Sequence, residues 1–500
     1  MCSSDLAIRG FETFRAVLRC NKESRKIAKI AIPTTIENMA GTILNAIQLA
    51  YISKYIGSEA LIVFGMIDFA LSLTEIIGAG IAAAEEVMVA QFIGGGDYYR
   101  AGATVQLSVF IYMLVAIPTY VVWIFCIGDL CHYFELGYGV AQLAQVYLPI
   151  VALAHLINDG FSGTLGGLMS VDGKAVQISL IDILFSALQT AAVVVGIVQY
   201  NFGLIEVAWI EVVAAVVYGL FMFSLCSCMG WLDKFKKGLT DRGALGSRDL
   251  RSRLVSSAIP LCMSEFLGEG EWYVLTIFAV SIGDVATWTI AGAIWEIFEQ
   301  SPEGIGTAAV IRIGYHLGQA DPKRAKIAAY KSLLACLVWS ATLTTIFMVH
   351  SSDIIALFTN DETITATLSN AVVLIGAGNC VMCIGNLAWT ILSAQSRPHI
   401  PAWVYGGVGI ALISIPLGSV FTFKLQFDIV GLIAAIVLSY ATVSAILLVF
   451  IFTSNWTKIC CRIISAYSGV SFDASYDEEK GERRDSSSSK WKPSDGAQLT

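Results

Sequence analysis

The stretches 264–273, SEFLGEGEWY, and 295–306, WEIFEQSPEGIG, decide how this chain is read. Each lies inside an apolar run of about 25 residues, long enough to cross a bilayer. Between them they carry Glu265, Glu269, Glu271, Glu296, Glu299 and Glu303. A carboxylate at the bilayer centre costs roughly 3 kcal/mol on insertion scales. Six of them in two spans persist only if they face water, pair, hold protons or bind cations.

The surroundings of these stretches are membrane-like throughout. The chain has 500 residues, of which 56% are hydrophobic and 14% charged, with a mean hydropathy of +0.70. Soluble domains carry about 25% charged residues. Long apolar runs recur along the chain and are continuous, which excludes an alternating β-barrel pattern. The class is therefore an all-α integral membrane protein embedded in a lipid bilayer. The net charge of −8 comes largely from acids inside spans and in the C-terminal tail, so no nucleic-acid partner is indicated. Twelve cysteines are scattered. Cys380 and Cys383 fall in an apolar span and read as filler, and Cys460 and Cys461 are open between lipidated and unmodified. No metal-ligand set and no cofactor motif is read. The basic start, with Arg9, Arg15, Arg19, Lys22, Arg25, Lys26 and Lys29, leaves the first span as the expected insertion signal.

The pattern predicts twelve spans, near 30–53, 60–84, 102–127, 140–167, 176–198, 203–228, 254–282, 284–310, 327–349, 364–393, 403–424 and 428–453. Lys and Arg concentrate in alternate connections, most densely in 229–253, which carries Lys234, Lys236, Lys237, Arg242, Arg248, Arg251 and Arg253. Positive charge marks the cytoplasmic side, so both termini are expected there. The organisation follows: a basic N-terminus 1–29, a six-helix bundle 30–228, a linker 229–253, a second six-helix bundle 254–453, and a polar, disordered cytoplasmic tail 454–500. The Asn455-Trp456-Thr457 sequon falls on that side and is expected to be unused.

The two halves repeat. Ala31-Ile32-Pro33 matches Ala258-Ile259-Pro260, and Ile56-Gly57 matches Ile282-Gly283. The glycine-rich stretches 78–83 and 304–309 correspond, as do 94–101 and 318–325, 170–174 and 393–397, and 203–205 and 431–433. Six matches in order at a nearly constant offset indicate duplication. Two parallel six-helix bundles with a site between them is a transporter plan.

These motifs bring a family into view. Ala309-Val310-Ile311-Arg312-Ile313-Gly314-Tyr315-His316-Leu317-Gly318, followed by Gln319-Ala320-Asp321-Pro322-Lys323, resembles the loop after span 8 of the multidrug and toxic compound extrusion (MATE) transporters. The similarity extends over about residues 28–453. Tyr51 to Gly57 resembles the family's close of span 1, and Glu271-Trp272-Tyr273 is similar to the Glu-Trp-Trp of eukaryotic members. The resemblance implies a V-shaped pair of bundles exporting organic cations, drugs or metabolites in exchange for H⁺ or Na⁺. The chain departs from the pattern at Gln48, where prokaryotic relatives often have Asp, and at Thr276, five residues after Glu271, where the second span-7 glutamate is displaced or absent. The 393–397 turn also lacks the usual glycines. This marks a divergent, eukaryotic-type member whose coupling ion and substrate are open.

Helical spacing sorts the candidates. Glu265 and Glu269 share a face, whereas Glu271 lies about 160° round from Glu269. Glu296, Glu299 and Glu303 fall within about a 60° arc, and Pro302 is expected to kink their span. We expect the substrate or cation site at Glu269, Glu271, Glu296 and Glu299, with Trp272, Tyr273, Trp288 and Trp295 offering ring faces to a cation. Glu265 and Glu303 flank it. Glu37, Asn45, Gln48 and Asp68 are secondary candidates in the N-terminal half, where helix–helix hydrogen bonding is an equal reading. That half holds no equal set of acids at the repeat-related positions, so the cation chemistry is expected mainly in the C-terminal bundle. Glu86 opposite Arg312 is the expected inside gate. His155, Asn158 and Asp159 form a polar cluster open between proton relay and helix contact.

The leading function is a secondary antiporter using alternating access, with intramembrane glutamates binding proton or cation and H⁺ favoured over Na⁺. A lipid-linked substrate flippase is the second reading and would call for a more cationic cavity. A non-transporting membrane receptor or scaffold is the third and leaves the buried acids without a role. No protease, nucleotide-binding or other enzyme motif is present in the sequence. The expected assembly is a monomer in the plasma membrane or a vacuolar or organellar membrane.

Overall fold

The computed structural model describes residues 17–359 and 361–468. Helix α1 (Lys22–Tyr51) opens with an Asn21 cap that accepts from the Glu23 and Ser24 amides, then runs on as a wide π-helical turn (Ile52–Ile56) to Gly57. Helix α2 (Ser58–Gly95) and α3 (Tyr98–Tyr133) follow. Helix α4 (Tyr138–Ile157), a π turn at Asn158–Gly163, the short α5 (Thr164–Met169) and α6 (Ala175–Tyr200) make spans 4 and 5. Gly173, at φ 89°, separates those two spans. Helix α7 (Leu204–Cys228) completes the first bundle, and the connection carries α8 (Lys236–Thr240) and α9 (Arg242–Leu245).

The second bundle holds α10 (Arg248–Ile282), α11 (Val285–Gln300), α12 (Glu303–Gly318) and α13 (Pro322–Val349). After these come α14 (Ser351–Phe358), α15 (Glu362–Ala394) and α16 (His399–Trp403), then a π stretch at Val404–Ser414. Helix α17 (Ile415–Ser419), a second π stretch at Val420–Lys424 and α18 (Asp428–Thr453) close the bundle. Twelve spans result. Span 8 is broken into α11 and α12 at Ser301–Pro302, as the proline requires.

Among the described residues, eight helical stretches are long and apolar enough to cross a membrane unaided, one of them (Tyr138–Tyr200) covering spans 4 and 5. The spans outside that group are the first, seventh and eighth. They fall short because they carry basic flanks, the acids or the break at Pro302. Such helices are held by their neighbours: α10 and α12 both pack on α2, α12 packs on α1, and α1 packs on α6.

The repeat is visible as recurring backbone. Asp97 caps α3 by accepting from the Arg100 amide at 3.0 Å, and Asp321 caps α13 by accepting from the Arg324 amide at 3.0 Å. The residue before each cap is left-handed, Gly96 at φ 77° and Ala320 at φ 60°. Gly57 and Gly283 likewise both have positive φ, though only Gly283 is left-handed helical, and Gly173 and Ser396 also both have positive φ. The missing glycine of 393–397 therefore does not remove the turn; Ser396 adopts it, although a left-handed residue with a Cβ costs about 1–2 kcal/mol.

The tail departs from expectation. Residues 454–468 are ordered: Asn455 caps α19 (Trp456–Ser468) by accepting from the Lys458 amide at 2.9 Å. Trp456, Ile459, Cys460 and Ile463 are buried, and the helix packs on α12 and α13. The i, i+3, i+4, i+7 spacing of those four residues is an amphipathic signal, hidden in the sequence by its polar surroundings. Cys460 lies against the Leu317 carbonyl at 3.5 Å. The acids at 477–479, the serine run 486–489 and the start of the chain with Arg9 and Arg15 lie outside the described residues.

Candidate functional site

The two bundles meet on the face that carries Lys22, Gly95 and Gly318. The contact is built from glycines. A Cβ on Gly94 would strike the Tyr315 carbonyl, one on Gly318 the Gln91 carbonyl, one on Gly304 the Ala31 carbonyl, and one on Gly80 the Cys262 sulfur. Close backbone approach of this kind is how helices associate where apolar burial gives no drive. Gln91 adds a hydrogen bond from its side chain to the Ala394 carbonyl at 3.1 Å. Deeper in, Asn38 donates to Glu303 at 2.7 Å, and the Phe69 and Tyr273 rings meet edge-on at 5.5 Å.

The expected gate is corrected here. Arg312 does not pair with Glu86. It donates through Nε and Nη2 to the two Glu23 oxygens at 2.6 and 3.0 Å, and His316 Nε2 lies 3.2 Å from the same carboxylate. Arg312 sits in the last turns of α12, level with the first turn of α1, so the first acid it meets is Glu23. Burial acts to raise the Glu23 pKa but is outweighed by His316 and Arg312, and the group falls to about 2.

Glu86 instead joins the acids. A cavity of about 340 Å³ between the bundles is lined by Glu86 from α2, Glu265 from α10, Glu299 and Glu303 flanking Pro302, and by Asn386, Trp389 and Thr390 from α15. Among the described residues, no Lys, Arg or His lines it. Glu299 lies within electrostatic reach of Glu265, Glu303, Glu269 and Glu296. Glu269 is near Glu296, and Glu296 reaches across to Asp68 on α2. Helical spacing anticipated the shared faces, but the grouping differs from the expected midplane set: Glu299 belongs with Glu265 and Glu303, while Glu269 and Glu296 form a second pair.

Glu271 stands apart, as its angle requires. It is 2% exposed and accepts from the Tyr405 hydroxyl at 2.7 Å. Its other oxygen has no hydrogen-bond partner among the described residues. Around it, inside the second bundle, Tyr405 stacks on Tyr440 at 6.3 Å and Tyr440 on Trp295 at 6.1 Å. Trp295 donates to Met382 at 2.8 Å, Trp288 donates to Thr276 at 2.9 Å, and Trp272 packs on Trp288 at 5.1 Å. Trp272, Trp288 and Trp295 are thus not cleft-facing rings; of the expected aromatics only Tyr273 stands at the bundle contact. Tyr405, Tyr440 and Trp389 were not anticipated, since a lone aromatic in an apolar span carries no signal of its neighbour.

The first bundle is richer than expected. A second cavity of about 340 Å³ is lined by Glu37, Asn158, Asp182, Gln189 and Tyr218, with Thr307 reaching in from α12. Tyr218 donates to Asp182. Glu75 on α2 contacts His155 Nδ1 at 2.8 Å, and Asp159 contacts the same nitrogen at 3.5 Å. The acids of this half are dispersed in sequence and converge only in three dimensions. Gln48 is not at a cation site: it is buried and donates to Thr190 at 2.9 Å, joining α1 to α6. Asn45 is exposed.

Comparison with known proteins agrees with this architecture. The MatE family model matches residues 33–197 and 260–420. The chain is 23% identical over 398 residues to multidrug and toxin extrusion protein 2 of Mus musculus, covering 77% of this chain and 66% of that one. It is 22% identical over 477 residues to Protein DETOXIFICATION 52 of Arabidopsis thaliana, covering 91% and 90%. The crystal structure of the eukaryotic MATE transporter AtDTX14 superimposes with a TM-score of 0.77 at 18% identity, over 88% of this chain and 98% of that one. This chain thus spans about two thirds of the mouse relative and nine tenths of the Arabidopsis one.

Proposed function

The chain belongs to the MatE family, whose members are transporters and not enzymes, and from that premise we propose that it is a secondary antiporter exporting organic cations or metabolites in exchange for H⁺. The observation that carries this reading is the cavity between the bundles, where four carboxylates from both halves converge with no basic side chain from the described residues among them. Neighbouring carboxylates in a low dielectric cannot all ionise. They hold protons or a cation, and an organic cation competes with the protons for the same oxygens. The reactive groups divide in two. Glu86, Glu265, Glu299 and Glu303, continued by Glu269 and Glu296, take the cationic substrate. Glu271 with Tyr405, and Glu37 with Asp182 and Tyr218, are enclosed sites that load and release the coupling proton. The glycine contact and the Glu23–Arg312 pair close one face, which the basic connections assign to the cytoplasm.

The test is uptake of a fluorescent organic cation by proteoliposomes under an imposed pH gradient, with a Na⁺ gradient as the comparison. Movement driven by the pH gradient is expected, falling at least tenfold in Glu299→Gln and in Glu269→Gln. Absence of gradient-driven movement for every cation tried, or full activity in both variants, would overturn the assignment.

A further inference from the structure

Glu75, His155 and Asp159 each offer a ligand atom, and the three atoms lie within 4.8 Å of one another. His155 Nδ1 is 2.8 Å from Glu75 Oε1 and 3.5 Å from Asp159 Oδ2. A tetrahedral ion held by imidazole at about 2.0 Å and carboxylate at about 2.1 Å sets its ligand atoms about 3.4 Å apart; the Asp159 contact already has that length, and the Glu75 contact, now of hydrogen-bond length, would open by about half an ångström to admit a small divalent ion. One Nδ1 hydrogen cannot serve two carboxylates fully, whereas a cation in its place engages all three atoms.

Three further observations point the same way. Tyr112 donates to Asp159 Oδ2 at 3.5 Å, giving one ligand an outer partner of the sort that orients metal carboxylates. Tyr120 is 2% exposed, its hydroxyl makes no hydrogen bond of acceptable geometry among the described residues, and it lies beside Tyr112, with Asp159 and Glu75 within electrostatic reach. The ligand side chains are 32–42% exposed rather than sealed in the protein interior. The other histidines with acids nearby lack this arrangement: Arg312 already occupies the Glu23 carboxylate beside His316, and His350 meets a single acid, Asp353, among the described residues.

We propose that Glu75, His155 and Asp159 form a binding site for a first-row divalent cation of the zinc type, joining α2 to α4, with water completing the coordination. Mixed imidazole and carboxylate donors suit such ions over calcium or magnesium. Glu75 is 80 residues from His155 in the chain, so no local spacing motif reveals the set.

The site is tested by metal binding to the full chain purified in detergent micelles and freed of metal with chelator. Zn²⁺ retained after desalting is counted by mass spectrometry, and Co²⁺ is added as a spectroscopic probe. One Zn²⁺ per wild-type chain is expected, with a four- or five-coordinate Co²⁺ spectrum. His155→Gln, Glu75→Gln and Asp159→Asn should each weaken binding at least tenfold, while His316→Gln keeps it. Size-exclusion profiles and melting curves verify that the variants are folded. Wild-type protein that retains no Zn²⁺, or folded His155→Gln and Glu75→Gln proteins that retain as much as wild type, would overturn the proposal. So would a purely octahedral aquo-type Co²⁺ spectrum in the wild type, which decides the matter even if every variant misfolds.

Discussion

Glu271 shows what a single position in the sequence discloses and what it hides. Its angle on the helix separates it from Glu269, and the structure turns it into the second bundle. The partner it finds there, Tyr405 at 2.7 Å, was not legible, because it comes from a π-helical stretch whose register ordinary helical periodicity does not follow. The same limit misplaced Trp295: an angle says which way a ring points but not that Tyr440 and Met382 cover it. The pair yields a discriminating prediction. In Glu271→Gln the side-chain carbonyl still accepts from Tyr405, so the protein folds and melts near the wild-type temperature. A neutral amide carries no exchangeable coupling proton, so pH-driven transport falls at least tenfold. Tyr405→Phe does the reverse in part. It leaves a buried acceptor unmet at a cost of about 1–3 kcal/mol, and the melting temperature drops while some transport remains. Equal loss of transport and stability in both variants would show that Glu271 is only a packing element.

At the scale of elements, the contact of α1 with α12 replaces the expected Glu86–Arg312 gate. The repeat correctly aligns α2 with α12 but says nothing about which helix of one bundle lies against which of the other. Glu23 looked like an ordinary residue of a basic leader; its role appears only once Arg312 and His316 close on it. Because partners hold its pKa at about 2, below the ordinary carboxylate value of about 4.3, the sign of the pH dependence follows. The stabilisation is complete above about pH 4.3, and it is lost as the pH falls through the lowered value. Glu23→Gln keeps the shape and removes the charge. We expect hydrogen exchange of the α1 N-terminus to rise severalfold in that variant at pH 7. Wild type should begin to lose protection below about pH 4.3 and reach the variant's level only as the pH approaches about 2. Unchanged exchange in Glu23→Gln would remove the pair as a fastening between bundles. The ordered helix α19 belongs to this scale too. Its four-residue apolar face is short, and the polar composition around it conceals a pattern that packing makes plain.

Across the whole molecule, the legible part was the count of spans, their parallel halves and the recurring turns. Composition and positive-φ positions such as Gly57 and Gly283 are local properties. The arrangement of one bundle against the other was not legible, since it depends on where glycines of separate helices meet. Those meetings make the last prediction. A Cβ on Gly94 or Gly318 would run into main-chain carbonyls, of Tyr315 and Gln91 respectively. Backbone cannot swing aside as a flexible side chain can, so Gly318→Val must push α12 away from α2. A wedge there disfavours the state in which this face is closed, leaving each bundle intact. We therefore expect faster amide exchange at 91–96 and 314–319 with protection elsewhere preserved, and a severalfold slower transport cycle. Gly94→Val should reproduce the effect from the other side. Gly407→Val is the control, because nothing lies within 4 Å of its added Cβ. If both wedge variants exchange and transport as Gly407→Val does, the two bundles do not separate along this contact, and the moving surface lies elsewhere.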